Sequence, residues 1–200
     1  MSQITVTKCP IEGLYIIELT VHGDERGNFF EVYNERDLKE NGIELKFVQE
    51  NQSFSMKGVL RGLHYQKQFP QTKLARVTQG TVFDVAVDLR PESLTYKSWY
   101  GVELSESNHK QFLIPAGFAH GLFVLSDTAT FVYKCSDFYH PEDEAGIAWN
   151  DPEIGVEWPG VEKADSSDNG YELVNGAYRT PIQLSEKDKA WPEFAKRGIN

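Results

Sequence analysis

The sequence has few cysteines and no long apolar run. Cys9 and Cys135 are the only cysteines among 200 residues, and neither belongs to a Cys-x-x-Cys pair. A disulfide framework and a cysteine-based zinc site are therefore excluded. The longest apolar runs, such as residues 121–125, fall far short of the ~20 residues that a membrane-spanning helix needs. The first residues lack the apolar stretch of a secretory signal, so we expect a cytoplasmic protein.

Basic residues are also scarce. Twenty Lys and Arg stand against thirty Asp and Glu, which gives a net charge of −10. This balance argues against nucleic-acid binding through a broad basic face. An anionic small molecule would have to be bound by a few local Arg and Lys side chains.

Short runs of strand-forming residues dominate the sequence. They are broken by Gly, Pro, Asn and Asp, and examples are residues 29–33, 59–65, 73–77 and 81–88. Many short strands at this spacing predict an all-β antiparallel sandwich, jelly roll or barrel. Helical patterns are few: one covers residues 35–40 and another begins near residue 184.

The composition becomes polar between about residues 160 and 180. Clusters of Ser, Asp, Asn and Gly are typical of loops. We therefore predict one domain over residues 1–160, followed over residues 161–200 by a polar loop and a C-terminal tail that pack on the same domain.

Two of the five histidines, His64 and His120, lie beside glycines. Imidazole groups inside a β barrel suggest a metal site, but no His-x-His or Glu spacing supplies further ligands, and we predict none. Each histidine could equally be a hydrogen-bonded core residue. Arg61 lies three positions before His64, so the two face opposite sides of a regular strand unless a bulge at Gly62 brings them together.

Other polar residues have simple structural interpretations. Arg26 in a charged turn could be a surface cation, and Lys73 could extend its stem along the rim of the sheet. Tyr133 could be a packing residue. Asp188 follows Ser185 at the spacing of a helix capping box. These residues alone do not identify a reaction.

Two segments carry a specific resemblance. Residues 61–66 read Arg-Gly-Leu-His-Tyr-Gln, and residues 115–121 read Pro-Ala-Gly-Phe-Ala-His-Gly. In this order and spacing they closely resemble the dTDP-4-dehydrorhamnose 3,5-epimerase family, and the similarity covers about residues 14–159 and resumes at 184–188. The resemblance implies a cupin-type jelly roll, a β-sandwich or barrel with a few short peripheral helices and a C-terminal helical tail. It also implies a homodimer that works without metal or cofactor.

The resemblance implies a reaction as well: inversion of C3 and C5 of dTDP-4-dehydro-6-deoxy-D-glucose. By resemblance His64 is the base, Asp188 its partner, Lys73 the cation at O4, and Tyr133 the acid on the opposite face. It also implies a set of substrate-binding residues, namely Arg26, Glu31, Gln49, Asn51, Arg61, His120, Tyr139, Glu144 and Lys187.

Three alternative functions are compatible with such a fold. An epimerase could act at C3 or C5 only, a ketoisomerase could move the carbonyl between C3 and C4, and a binding module could hold a sugar nucleotide without reaction. The complete segment over residues 61–66 argues against the ketoisomerase. A binding module has no need of His64, Lys73 and Tyr133 together.

Overall fold

The computed structural model describes residues 2–163, 170–175 and 178–196. This part of the chain folds into sixteen strands, two short α-helices, α1 (Glu35–Glu40) and α2 (Glu186–Ala190), and two 3₁₀ turns. The strands, in chain order, are β1 Ile4–Lys8, β2 Tyr15–Leu19, β3 His22–Asp24, β4 Gly27–Phe29, β5 Gln49–Met56, β6 Leu60–Gln66, β7 Lys73–Gln79, β8 Thr81–Asp88, β9 Trp99–Ser105, β10 Lys110–Ile114, β11 Phe118–Val124, β12 Thr128–Cys135, β13 Glu144–Gly146, β14 Val161–Lys163, β15 Tyr171–Asn175 and β16 Tyr178–Pro181.

Two antiparallel sheets form the body of the molecule. One contains six strands in the order β1-β2-β10-β7-β12-β5, and the other contains five in the order β13-β6-β11-β8-β9. The main apolar core takes residues from both sheets, among them Phe112, Leu122 and Phe131, and it therefore lies between them. The predicted all-β jelly-roll sandwich is confirmed.

Strand alternation places polar side chains among this core. Successive residues of a strand point to opposite faces, so residues two apart share a face. Ala75, Val82 and Phe131 belong to the inter-sheet core. The residues two positions away on β7, β8 and β12 therefore also point between the sheets, and these are Lys73, Asp84 and Tyr133.

Part of the outer face of each sheet is covered. Leu38 of α1 packs with Ile17 against the six-stranded sheet. The five-stranded sheet contributes Phe123 to a second cluster, which includes Trp158 and Phe194 from later parts of the chain. The C-terminal segment thus packs on the outside of the sheet that carries β6 and β11.

The short helix predicted at residues 35–40 is correct. Asn34 caps its N-terminus, because the side-chain oxygen accepts hydrogen bonds from the backbone N–H of Arg36 at 3.0 Å and of Asp37 at 3.4 Å. Such a cap supplies partners for N–H groups that the first turn leaves free. No helix in the described part of the chain is long and apolar enough to span a membrane.

Two sequence predictions were wrong in detail. Residues 29–33 do not form a strand, because pairing in that hairpin ends at Phe29. The polar stretch near residues 160–180 contains a three-stranded antiparallel sheet of β14, β15 and β16. Leu173 of β15 is buried against the second core cluster, which gives this polar sheet an anchor. Residues 164–169 and 176–177 of the predicted loop lie outside the described residues, and the domain limit at residue 160 stays a prediction.

Candidate active site

A cavity of about 320 Å³ opens between the two sheets. Its walls bring together most of the residues singled out from the sequence. The predicted site residues that line it are Gln49, Asn51, Arg61, His64, Lys73, His120, Tyr133, Tyr139, Glu144 and Lys187.

A bulge in β6 turns both Arg61 and His64 into the cavity. Opposite β11, the register passes from His120↔His64 to Leu122↔Arg61, so β6 contains one extra residue. Gly62 makes this possible, because its φ is +130° and a Cβ there would lie 2.6 Å from the Cα of Gly121. The bulge that the sequence analysis required is therefore present.

His64 is hydrogen-bonded to a buried carboxylate. Its Nε2 lies 2.5 Å from Oδ1 of Asp188, whose side chain is 4% exposed. This contact joins β6 to α2 across 124 residues of sequence. Because Nε2 is engaged by Asp188, Nδ1 is the ring nitrogen left to accept a proton from a substrate.

Asp188 is also tied to the N-terminus of its own helix. Its Oδ2 accepts a hydrogen bond from Oγ of Ser185 at 2.7 Å, and its backbone N–H donates to the same hydroxyl at 3.1 Å. Burial favours the neutral acid, but the hydrogen bonds from His64 and Ser185 outweigh it and lower the pKa of Asp188. The capping and partner interpretations of Asp188 are therefore compatible in one geometry.

Lys73 and Tyr133 face His64 from the six-stranded sheet. The Lys73 ammonium lies 5.8 Å from the centre of the Tyr133 ring. Burial lowers the pKa of Lys73 and raises the pKa of Tyr133. The tyrosine consequently keeps its proton at neutral pH and can act as an acid.

The rim of the cavity carries a linked trio of side chains. Tyr139 donates a hydrogen bond to Glu144 at 2.7 Å, and the ammonium of Lys187 lies 2.8 Å from the same carboxylate. The hydrogen bond to Glu144 raises the pKa of Tyr139 to about 12. The ring of Tyr139 is 46% exposed and so offers an aromatic face at the entrance.

The amide side chains line one side of the entrance. Gln49 donates a hydrogen bond to Asn51 at 3.0 Å and accepts one from the backbone N–H of Tyr139 at 3.0 Å. Asn51 stands directly opposite Tyr133 in the β5–β12 register. Arg61 donates a hydrogen bond from its Nε to the hydroxyl oxygen of Ser55 at 3.1 Å.

Two predicted binding residues do not line this cavity. Arg26 lies in the turn between β3 and β4, 85% exposed, and forms an ion pair with Asp24 at 2.5 Å. Glu31 accepts a hydrogen bond from Asn34 at 2.6 Å. Both residues belong to a surface outside the inter-sheet space of the single chain.

The sequence analysis missed one buried acid. His120, predicted as a binding residue, forms a 2.7 Å hydrogen bond through Nε2 to Oδ1 of Asp84, which is fully buried. The available signal was a charged residue inside the apolar run of β8. It lies two residues from Val82 and two from Ala86, so it shares their inward face. Within the described residues, no three His, Cys, Asp or Glu side chains cluster as ligands for a metal ion.

The fold and the cavity together define a protein of the cupin type, with titratable side chains from two facing sheets around one cavity. Residues 8–196 match the family described as dTDP-4-dehydrorhamnose 3,5-epimerase. The chain belongs to this family of isomerases, and the resemblance found in its sequence is confirmed.

Individual relatives agree over nearly the whole chain. The dTDP-4-dehydrorhamnose 3,5-epimerase of Methanothermobacter thermautotrophicus is 48% identical over 199 residues, covering 100% of this chain and 99% of its own. A crystal structure of the dTDP-6-deoxy-D-glucose-3,5-epimerase of Legionella pneumophila in complex with dTDP-4-keto-L-rhamnose superposes with a TM-score of 0.85 at 45% identity, covering 97% of this chain and 94% of that one. The dTDP-4-dehydrorhamnose 3,5-epimerase of Elizabethkingia anophelis gives a TM-score of 0.82 at 44% identity, with 98% of both chains covered.

Proposed function

We propose that this chain inverts C3 and C5 of dTDP-4-dehydro-6-deoxy-D-glucose and produces dTDP-4-dehydro-L-rhamnose for dTDP-L-rhamnose biosynthesis. One observation carries the proposal. His64, bonded to Asp188 of α2, projects from one sheet, whereas Lys73 and Tyr133 project from the other, across a single cavity. Inversion at carbon needs a base and an acid on opposite faces of the sugar, and this arrangement provides both.

The first step breaks a C–H bond beside the ketone. The carbonyl at C4 acidifies the hydrogens at C3 and C5, because the electron pair of the broken bond moves to O4 as an enolate. His64 accepts the proton at Nδ1, and the buried Asp188 carboxylate stabilises the resulting imidazolium. Lys73 is the cation placed to balance the negative charge that develops on O4.

The second step forms a new C–H bond from the other side. The phenol of Tyr133 gives its proton to carbon as the enolate returns to the ketone, and the configuration is inverted. Exchange with water then removes the proton from His64 and restores the one on Tyr133. A positioned acid or base of this kind typically contributes ~10²–10⁴-fold to the rate.

The nucleotide extends from the cavity to its rim. The cavity is near the lower end of the roughly 300–1,000 Å³ range of ligand pockets, which suits the sugar ring and leaves the thymidine outside. Tyr139 offers its exposed face for stacking on thymine. Arg61, with Gln49, Asn51 and His120 nearby, supplies polar contacts to the sugar and diphosphate.

We propose that the active form is a homodimer. Arg26 and Glu31 lie outside the cavity of their own chain, so their role in binding requires a second copy to carry them to the ligand. The exposed β3–β4 hairpin, with Phe29 73% exposed, is available for such a contact. We also propose a cytoplasmic location, because Cys9 and Cys135 are free thiols, as expected in a reducing compartment.

The decisive experiment is proton NMR of dTDP-4-dehydro-6-deoxy-D-glucose with the purified protein in heavy water. We expect loss of the C3 and C5 proton signals, and an L-configured product when a reductase traps the ketone. The His64→Ala variant serves as the control and should exchange neither proton.

Other outcomes would replace the proposal. Exchange at one carbon alone would identify a single-centre epimerase. A carbonyl that moves to C3 would identify a ketoisomerase. Saturable binding of the substrate without exchange at either carbon would leave a binding module. Unchanged exchange in His64→Ala would remove His64 as the base.

A further inference from the structure

Asp84 is a buried acid for which the mechanism above has no use. Its side chain is fully buried on the inward face of β8, between Val82 and Ala86. One carboxylate oxygen, Oδ1, accepts a hydrogen bond from His120 at 2.7 Å. The other, Oδ2, has no hydrogen-bond partner in the described structure. A buried carboxylate with an unsatisfied oxygen is costly, so its presence next to the cavity-lining His120 calls for a function.

Asp84 orients His120. Burial lowers the pKa of His120, so the ring is neutral at neutral pH. A neutral ring that donates from Nε2 to Asp84 has its lone pair on Nδ1. The carboxylate therefore fixes both the plane and the tautomer of a histidine that lines the substrate cavity.

Asp84 also provides the negative charge opposite Lys73. The titratable groups around the Lys73 ammonium come from four other strands, and they are Cys135 and Tyr133 of β12, Asp84 of β8, Glu144 of β13 and the neutral His120 of β11. Burial keeps the Cys135 thiol and the Tyr133 phenol neutral by raising the pKa of each. The carboxylate of Glu144 is already paired with Lys187 at the rim.

Among the described groups, Asp84 remains as the source of negative charge for His120 and Lys73. Burial raises the pKa of Asp84, and the attraction of His120 and Lys73 opposes that rise. A proton on Oδ2 would be a buried O–H donor with no acceptor in the described structure, which favours the ionised form. Removing water from the Lys73 ammonium favours its neutral form. A neutral amine could not balance the charge on O4.

We propose that Asp84 is a positioning residue of this site, which orients His120 through Oδ1 and, through the charge on Oδ2, keeps the Lys73 ammonium protonated where the enolate oxygen forms. The inference rests on the proposed function, since it assigns Lys73 to O4. It adds that Lys73 has an electrostatic partner, Asp84, on the facing sheet.

The experiment compares charge-removing and charge-keeping variants. Asp84→Asn and Asp84→Ser remove the charge, and Asp84→Glu retains it. Asp88→Asn is the matched control, because Asp88 is equally buried on the same strand but is bonded to Arg90, Ser93 and Thr95. Two quantities are measured for each protein: the titration of Lys73 Nζ by ¹⁵N NMR, assigned with Lys73→Arg, and the pH dependence of kcat.

We expect the Lys73 titration midpoint and the alkaline limb of kcat to move down by about one pH unit or more in Asp84→Asn and Asp84→Ser, as expected on loss of a nearby opposite charge. Asp84→Glu should keep the wild-type midpoint with a lower kcat, and Asp88→Asn should keep both the midpoint and the profile. Wild-type midpoints in Asp84→Asn or Asp84→Ser would overturn the proposal. If neither of these folds, a lowered midpoint in Asp84→Glu would overturn it.

The two proposals fail separately. A wild-type protein that exchanges no substrate proton would contradict the proposed function, while the NMR titration of Lys73 would still decide the electrostatic role of Asp84. A wild-type protein that epimerises, with a Lys73 midpoint insensitive to Asp84, would leave the function standing and remove the inference.

Discussion

At the scale of single residues, the proposed mechanism assigns proton removal and proton return to different side chains. Replacing Tyr133 by Phe removes the phenolic proton and leaves His64, Asp188 and Lys73 in place. We expect Tyr133→Phe to lower the rate of inversion by about 10²-fold or more, with deuterium exchange at C3 or C5 within about tenfold of wild type. NMR in heavy water measures exchange, and the trapped product measures inversion. An equal loss of both would mean that Tyr133 acts before the enolate forms.

Asp188 and Ser185 share hydrogen bonds but should have different functions. Asp188→Asn should lower kcat by about 10²-fold or more, because the amide cannot stabilise an imidazolium as a carboxylate does. Its free energy of unfolding should change little, since Asn still accepts a hydrogen bond from Ser185. The outcome is read from kcat and from urea unfolding of the same preparations.

The matched variant is Ser185→Ala, which removes the helix cap. We expect a loss of about 1 kcal/mol of stability with a smaller fall in kcat than in Asp188→Asn. A large loss of stability in Asp188→Asn with near-normal kcat would assign Asp188 to capping alone.

Residue patterns predicted part of this site. The segments around His64 and His120 identified the family, and ten of the thirteen residues named from the sequence line the cavity, with Asp188 bonded to His64. Asp84 was missed because a carboxylate inside an apolar strand gives no motif. Arg26 was expected at the ligand because of the family resemblance, and the single chain leaves it 85% exposed outside the cavity.

At the scale of elements, the bulge in β6 depends on a glycine. A methyl group at residue 62 would lie 2.6 Å from the Cα of Gly121, so Gly62→Ala must push β6 away from β11. We expect a loss of about 3 kcal/mol or more in the free energy of unfolding, together with loss of activity through displacement of His64. Urea denaturation and the exchange assay measure the two effects.

Gly27→Ala is the appropriate control for this variant. Gly27 has a φ of +132°, close to that of Gly62, and nothing lies within 4 Å of the added carbon. Gly27→Ala should lower the free energy of unfolding by about 1 kcal/mol, the usual penalty of a side chain at positive φ. Equal destabilisation by the two substitutions would mean that the close approach to β11 is unimportant.

The end of β8 is secured by an ionised carboxylate. Burial of Asp88 opposes ionisation, but hydrogen bonds from Arg90, Ser93 and Thr95 lower its pKa to about 2. The unfolded value is higher, so this group stabilises the folded state above pH ~4 and loses that contribution as the pH falls towards 2. We expect Asp88→Asn to lower stability by about 2 kcal/mol at pH 7, with the gap to wild type narrowing between pH 4 and pH 2. Urea unfolding across that range measures the difference in the free energy of unfolding between the two proteins. A difference that does not depend on pH would contradict this assignment.

The element boundaries illustrate what local pattern can and cannot predict. The helix at Glu35–Glu40 was predicted, and the Asn34 cap that the structure shows at its N-terminus is a local feature of the sequence. The sheet of β14, β15 and β16 was not predicted, because its strands pack Val161, Tyr171 and Leu173 on a cluster formed by distant parts of the chain. Long-range packing of this kind leaves little trace in a short window of sequence.

At the scale of the whole molecule, we expect the site to be completed by two copies of the chain. Arg26→Ala and His64→Ala homodimers should each be poorly active at low substrate concentration. When the two are mixed and allowed to exchange subunits, half of the sites in each heterodimer should carry both intact residues. Kinetics at low substrate, with the dimer mass checked by light scattering, measure the recovery.

A 1:1 mixture should recover about a quarter of wild-type activity, as expected for a symmetric dimer with shared sites. Mixing Arg26→Ala with Glu31→Ala, which lie in the same chain segment, should give no recovery, because each site of the heterodimer then lacks one of these two residues. No recovery in the mixture with His64→Ala would place Arg26 and His64 in the same subunit's site, or Arg26 outside any site.

The hydrogen bond between His64 and Asp188 spans 124 residues of sequence. During translation, both sheets and every other wall of the cavity emerge from the ribosome before α2, because Lys187 and Asp188 follow them in the chain. A nascent chain that has closed its sandwich can therefore hold a sugar between the sheets but lacks the carboxylate that makes its histidine an effective base. Enzymatic activity should therefore appear only after the segment that contains Asp188 has been made and has docked against β6.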